Sequence, residues 1–218
     1  MQTSGGGAKI KKKVLVAYAT KCGSTGEVAQ AIGKVLREDG TMVEVCRARD
    51  VTESSSYDAV IVGSPILYGK WRSEAMRFVE GHKETLRRIP VAYFLTCLEL
   101  TRMPDEMMTE VATYLDPALG TPPKKEGKLT FFEKGHLLSA FLIPALKRFP
   151  QIKPVSAAVF RGKLDYSKLD PISWLVMKLI WLVYKRAPEG DFRNWEAIRS
   201  WTASLRPALL QNSEKANK

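Results

Sequence analysis

The sequence predicts an α/β fold: a five-stranded parallel sheet of strand order 2-1-3-4-5, with helices on both faces. Three observations lead there. Short apolar runs with strand propensity recur at Val14–Val16, Met42–Val45, Tyr57–Val62, Val91–Cys97 and Lys153–Phe160. Helical periodicity fills most of the stretches between them. A loop rich in hydroxyls and glycine, Ala19-Thr20-Lys21-Cys22-Gly23-Ser24-Thr25-Gly26, joins the first strand to the first helix.

The first helix carries Val28, Ile32, Val35 and Leu36 on one face, and Asp39-Gly40 stops it. Free backbone N–H groups and the positive end of the helix dipole converge at its start, a geometry that attracts an anion such as a phosphate. Thr20, Ser24 and Thr25 would add neutral donors. Ser24-Thr25-Gly26-Glu27 also has the form of a capping box, which needs no ligand. The chain has no G-x-x-x-x-G-K-[ST] and no G-x-G-x-x-G here. A hydrolase-type nucleotide loop is thereby excluded, a dinucleotide is disfavoured, and a monophosphate is the ligand that suits the loop.

Thr41–Cys46 reads as the second strand, and the polar connection Arg49–Ser56 is too short for a long helix. The third strand runs through Gly63 into Ser64-Pro65-Ile66-Leu67-Tyr68-Gly69-Lys70-Trp71. Gly63 is expected to permit close approach of the backbone, and Pro65 to stiffen the turn. Tyr68 and Trp71 are placed either to stack on a flat ligand ring or to cover the next helix. That helix is expected over Ser73–Arg88, with Met76, Val79 and Leu86 inward. In the order 2-1-3-4-5 the loops after strands 1 and 3 meet where the strand order reverses, and Thr96–Leu100 closes the site beside them.

Composition sets broad limits. The chain has 218 residues, 45% hydrophobic and 26% charged, enough for one domain with a full core. Cys22, Cys46 and Cys97 form no C-x-x-C pair, which fits a reducing compartment better than a disulfide framework or a zinc site. His82 and His136 fall in helical stretches and are expected to have exposed structural roles. A net charge of +11 points to an anionic partner. No helix-turn-helix, RNP or zinc-finger pattern is present, so no nucleic-acid role is expected. Residues 1–12 read as a disordered leader, 13–208 as the domain, and 209–218 as a mobile tail.

Pro171–Arg186, PISWLVMKLIWLVYKR, reads as a helix too short to span a bilayer. Ile172, Val176, Leu179 and Val183 form a stripe expected to pack on the sheet. Trp174, Lys178, Trp181 and Lys185 share another face, suited to the boundary between acyl chains and anionic headgroups. A buried helix whose lysines reach the rim is the alternative.

Four stretches carry a family resemblance: VLVAYATKCGSTGEVAQAIG, YDAVIVGSPILYGKWRSEAMRFV, VSAAVFRGKLDYSKLDPISWLVMKLIW and DFRNWEAIRSW. The chain resembles the flavodoxin superfamily, and within it the menaquinone-dependent protoporphyrinogen IX dehydrogenases. The resemblance implies a flavodoxin-like three-layer sandwich with FMN as cofactor. It implies that Thr20, Lys21, Cys22, Gly23, Ser24 and Thr25 hold the FMN phosphate. Ser64, Pro65, Ile66, Leu67, Tyr68 and Gly69 would line the ring, and Thr96, Cys97 and Leu98 the remaining wall. The implied activity passes electrons from a porphyrinogen-type anionic substrate through FMN to a quinone. A flavodoxin-like electron carrier and an FMN-dependent quinone reductase are the alternatives. A cytoplasmic protein, peripheral on the cytoplasmic membrane face through 171–186, is expected. Residues 101–150 are longer than that family implies and read as an insertion, with an apolar helix from about His136 to Phe149.

Overall fold

A computed structural model describes residues 12–38, 40–103, 111–125, 128–184 and 189–210. The expected leader up to residue 11, the tail from 211 on, Asp39 and Lys185 lie outside the described residues, as do the side chains of Trp181 and Val183.

The elements run β1 (Lys13–Tyr18), α1 (Ser24–Arg37), β2 (Met42–Arg47), β3 (Ala59–Leu67), β4 (Lys70–Trp71), α2 (Ser73–Gly81), α3 (Lys83–Leu86), β5 (Val91–Cys97), β6 (Thr113–Leu115), α4 (Phe131–Gly135), α5 (Leu138–Arg148), β7 (Ser156–Arg161), β8 (Lys163–Leu164), α6 (Pro171–Tyr184), β9 (Gly190–Asp191) and α7 (Trp195–Leu210). The main sheet has the order β2-β1-β3-β5-β7-β6, every neighbouring pair parallel. The five expected strands keep their expected order. The sequence missed the sixth, β6, because a three-residue strand carries no periodic signal. A short antiparallel pair, β8 and β9, lies apart.

Alternation along each strand divides the core in two, which makes three layers. Val14, Val16, Ile61, Phe94 and Phe160 face Val28, Ile32 and Leu36 of α1 and Ile198, Trp201 and Leu205 of α7. Leu15, Ala17, Val62, Tyr93, Leu95 and Val159 face Phe78, Val79 and Leu86, together with Leu138, Phe141 and Leu142 of α5. The helix expected over Ser73–Arg88 is broken at His82, whose φ of −111° and ψ of 11° leave the helical region. Ser54 Oγ lies 3.0 Å from His82 Nδ1. His82 is therefore half-buried and bonded, not simply exposed.

Residues 101–150, read as an insertion, lie in the crossover between the parallel strands β5 and β7, and α5 packs in the layer beside α2. One sequence expectation is corrected. The stripe of Ile172, Val176 and Leu179 does not pack on the sheet: Ile172 is 76% exposed and Leu179 58%. Both sheet faces are already covered, so α6 rests on a satellite cluster of Leu164, Tyr166, Leu98 and Leu169, toward which Met177 is turned.

Candidate functional site

At the carboxyl end of β1 the chain turns through Gly23, whose φ of 93° is a left-handed conformation that suits glycine. Gly23 N–H donates to Thr20 Oγ1 at 2.9 Å, which closes the loop. Gly23 is then the N-cap of α1, with no side-chain cap, so the capping box read at Ser24-Thr25-Gly26-Glu27 does not form. Glu27 N–H makes the first helical bond, to Gly23 O at 3.1 Å. The N–H groups of Ser24, Thr25 and Gly26 are left without partners within the helix, at the positive end of its dipole. Thr25, buried, shares a 2.9 Å hydrogen bond with Thr96 on β5 and locks the two loops together.

The second wall is a hairpin, not the open loop expected after strand 3. β3 continues to Leu67 and pairs antiparallel with β4, Ile66 opposite Trp71. The turn residues Tyr68 and Gly69 have φ of 53° and 75°. Positive φ at both central positions is the type I′ pattern, whose twist matches that of a hairpin. Tyr68 stands 68% exposed at the tip. Trp71 points the other way: its Nε1 donates to Phe141 O at 2.8 Å, and its ring meets Tyr93 edge-on at 5.1 Å. Ser64, fully buried, accepts from Arg72 N–H at 2.9 Å and fixes the base of the hairpin. The space beside Gly63 is filled by the neighbouring strand, since a Cβ there would lie 2.0 Å from Phe94 Cζ. Gly63 thus makes room for a core ring and not for a ligand.

These walls enclose a mainly apolar cleft of about 230 Å³. Lys21, Cys22, Ser24, Thr25, Pro65, Ile66, Leu67, Tyr68, Gly69, Thr96, Cys97 and Leu98 line it. Of the residues singled out in the sequence, Thr20, Gly23 and Ser64 stand behind that lining and shape it. The sequence missed two sets. Gly162, Lys163, Leu164 and Leu169, with Ser173 and Met177 of α6, form one flank. Phe132 and His136, on and just after α4, form the other, so His136 does not have the exposed structural role expected of it. Thr130-Phe131-Phe132-Glu133 carries the signal that could have found α4: Thr130 and Glu133 form a reciprocal capping box.

The electrostatics divide the cleft. Lys21 Nζ is held by Asp170 Oδ2 at 2.8 Å and donates to Ser173 Oγ, so its charge is matched within the protein. Asp170 caps α6, accepting from Ser173 N–H at 3.0 Å. The Lys21 hydrogen bond, then the bonds from Ser173, hold the Asp170 carboxyl well below the ordinary carboxylate range. Desolvation by burial raises the thiols of Cys22 and Cys97 above their ordinary value, so neither is a thiolate nucleophile at neutral pH. What remains is a set of neutral donors at a helix start, suited to a phosphate, beside apolar walls suited to a flat ring.

The sequence matches the family described as Flavodoxin domain over residues 15–190. It is 29% identical over 104 residues to the protoporphyrinogen IX dehydrogenase (quinone) of Escherichia coli, covering 47% of this chain and 57% of that protein. The match thus spans little more than half the length of the curated relatives. Among solved structures, a flavodoxin from the domain Archaea is 26% identical over 39% of this chain and 63% of its own, with a TM-score of 0.38. Oxidised Flavodoxin 2 from Bacillus cereus is 29% identical over 39% and 62%, with a TM-score of 0.33. The rubredoxin oxygen:oxidoreductase of Desulfovibrio gigas is 13% identical over 89% and 37%, with a TM-score of 0.40.

Proposed function

Because the chain belongs to the flavodoxin domain family, we propose that its cleft holds FMN and that it is an oxidoreductase of the protoporphyrinogen IX dehydrogenase type with a quinone as acceptor. The observation that carries this reading is the α1 start opening into an apolar cleft, with Thr25 bonded across it to Thr96. The residues fit the cofactor. Ser24, Thr25 and Gly26 offer backbone donors to the phosphate, with Thr20 and Gly23 holding the loop. Pro65 to Gly69, with Tyr68 at the stacking position, and Thr96 to Leu98 would flank the ring. FMN, when bound, supplies the redox chemistry; the protein supplies position, exclusion of water and electrostatics.

The relative named above as a quinone-linked protoporphyrinogen dehydrogenase supports both substrate classes. A net charge of +11 favours a carboxylate-bearing substrate, and equally an anionic lipid surface for the peripheral, cytoplasmic-face location. Among the described residues no helix is long and apolar enough to cross a membrane. The exposed Ile172, Trp174, Leu175, Leu179 and Leu182 of α6 suit shallow insertion at a surface.

The test is in three parts. Ser24→Ala with Thr25→Ala weakens FMN binding while the fold persists, through loss of the Ser24 hydroxyl and of the Thr25–Thr96 bond that holds the backbone donors in place; unchanged affinity removes both side chains from the phosphate site. Anaerobic protoporphyrinogen IX reduces the bound flavin, and a menaquinone analogue reoxidises it. Flavin that stays oxidised with porphyrinogen but is reduced by a reductase protein makes the chain an electron carrier. Sedimentation with anionic liposomes reads the membrane face, and absence of binding at low salt removes it.

A further inference from the structure

We propose that the segment around α4 builds a quinone subsite in the cleft, with Phe132 as its wall and His136 Nε2 as the hydrogen-bonding atom. The inference rests on the quinone-linked reading above but uses residues which that reading leaves without a role.

Phe132 and His136 both line the cleft. Their rings are stacked, 4.1 Å between centroids and 22° between planes. A ligand ring hydrogen-bonded to Nε2 lies near the imidazole plane, so the Phe132 face that stacks on His136 is the wall alongside it. The backbone holds the pair in place on three sides. Thr130 and Glu133 cap α4. Thr101 N–H donates to His136 O at 2.8 Å. The hairpin tip packs on α4, with the Cβ direction of Gly69 3.2 Å from Gly135 O. His136, next in the chain to Gly135, therefore lies by the hairpin tip at Gly69.

Its ring is also oriented. His136 Nδ1 lies 2.8 Å from Phe132 O. A carbonyl oxygen can only accept, so Nδ1 carries a hydrogen and Nε2 is the nitrogen left for a ligand. When the imidazole is neutral, Nε2 accepts from a hydroquinone hydroxyl. When it is charged, Nε2–H donates to a quinone carbonyl. The site thus reads the redox state of the ligand through one hydrogen bond at Nε2.

The probes are menadione and its hydroquinone, titrated calorimetrically into the full chain with and without oxidised FMN. His136→Leu weakens the better-bound of the two about fivefold to twentyfold, as expected for loss of one hydrogen bond, and Phe132→Leu weakens both. FMN affinity is read separately by flavin fluorescence, because both residues line the cleft assigned to the cofactor, and the titrations without FMN carry the comparison. Equal affinities in parent and His136→Leu overturn the subsite. Failure of the parent to bind FMN overturns the cofactor reading instead, and the titrations without FMN still judge the subsite.

Discussion

Replacing Tyr68 with Asn separates hairpin geometry from ligand contact. Tyr68 has φ of 53° in a type I′ turn with Gly69. A non-glycine residue there is held at a strain of about 1–2 kcal/mol, which Asn tolerates better; Asn-Gly is the preferred pair for this turn. The variant is therefore expected to be more stable without ligand by about 0.5–1 kcal/mol. Its affinity for FMN moves the other way. An aromatic side chain carries about 150–250 Å², so 68% exposure leaves on the order of 100–170 Å² open. Covering half of that with a flat ring is worth about 1.3–2.1 kcal/mol at about 25 cal/mol/Å². Stacking adds about 0.5–1.5 kcal/mol. Together they amount to about 2–3.5 kcal/mol, or about 30- to 300-fold in Kd. Thermal unfolding without ligand and quenching of FMN fluorescence measure the two effects. An affinity within threefold of the parent takes Tyr68 off the flavin, and a lowered Tm refutes the strain assignment.

Gly63→Ala forces a Cβ against Phe94 and is expected to destabilise the fold by about 1–3 kcal/mol, with Phe94→Leu restoring part of the loss in thermal melts. Lys21→Ala frees the start of α6, read as faster amide exchange at Ser173 and Trp174 than at the core strands. Because the Asp170 carboxyl is depressed, its contribution to stability is complete above the ordinary 3.8 and is lost as pH falls below that value. The parent clasp therefore opens only in acid, whereas the variant lacks it at every pH. Hydrogen bonds from Lys124 N–H, then from Thr130, lower the Glu133 carboxyl from 4.5 to about 2. Its contribution is complete above pH 4.5 and is lost as pH falls through about 2. Glu133→Gln is expected to remove that acid-dependent step from the circular-dichroism titration. Thr130→Ala is expected to cost about 1 kcal/mol through loss of the cap.

The apolar runs of β1, β3, β5 and β7 were legible because both faces of each strand are buried, so no polar residue interrupts them. The α1 start was legible from its hydroxyls and glycine, although Thr20 closes the loop instead of facing the cleft. Ser24 misled as a cap because one left-handed glycine moved the helix start by a residue. Trp71 and Gly63 misled for a tertiary reason: the partners that claim them, Phe141 and Phe94, come from other elements. The α6 faces could not be ordered from sequence, since apolar residues surround that helix and its inward face is chosen by the satellite cluster at Met177 and by Lys21 and Asp170 at Ser173. His136 was hidden because its place depends on a crossover folding back to the hairpin tip.

The parallel pairing of Thr113–Leu115 with Ala157–Val159 changes which strand borders the sheet. Without β6, the row Ala157, Ala158, Val159 and Phe160 would present unpaired N–H and C=O groups on one of the most apolar strands of the molecule. A strand so exposed is a template on which a second chain can add. Three residues hide it, and they are themselves too short and too polar-flanked to recruit a neighbour. Trimming residues 101–150 toward a shorter loop would thus unmask a sticky border, and the first symptom would be self-association in concentrated solution, ahead of any change in the cleft.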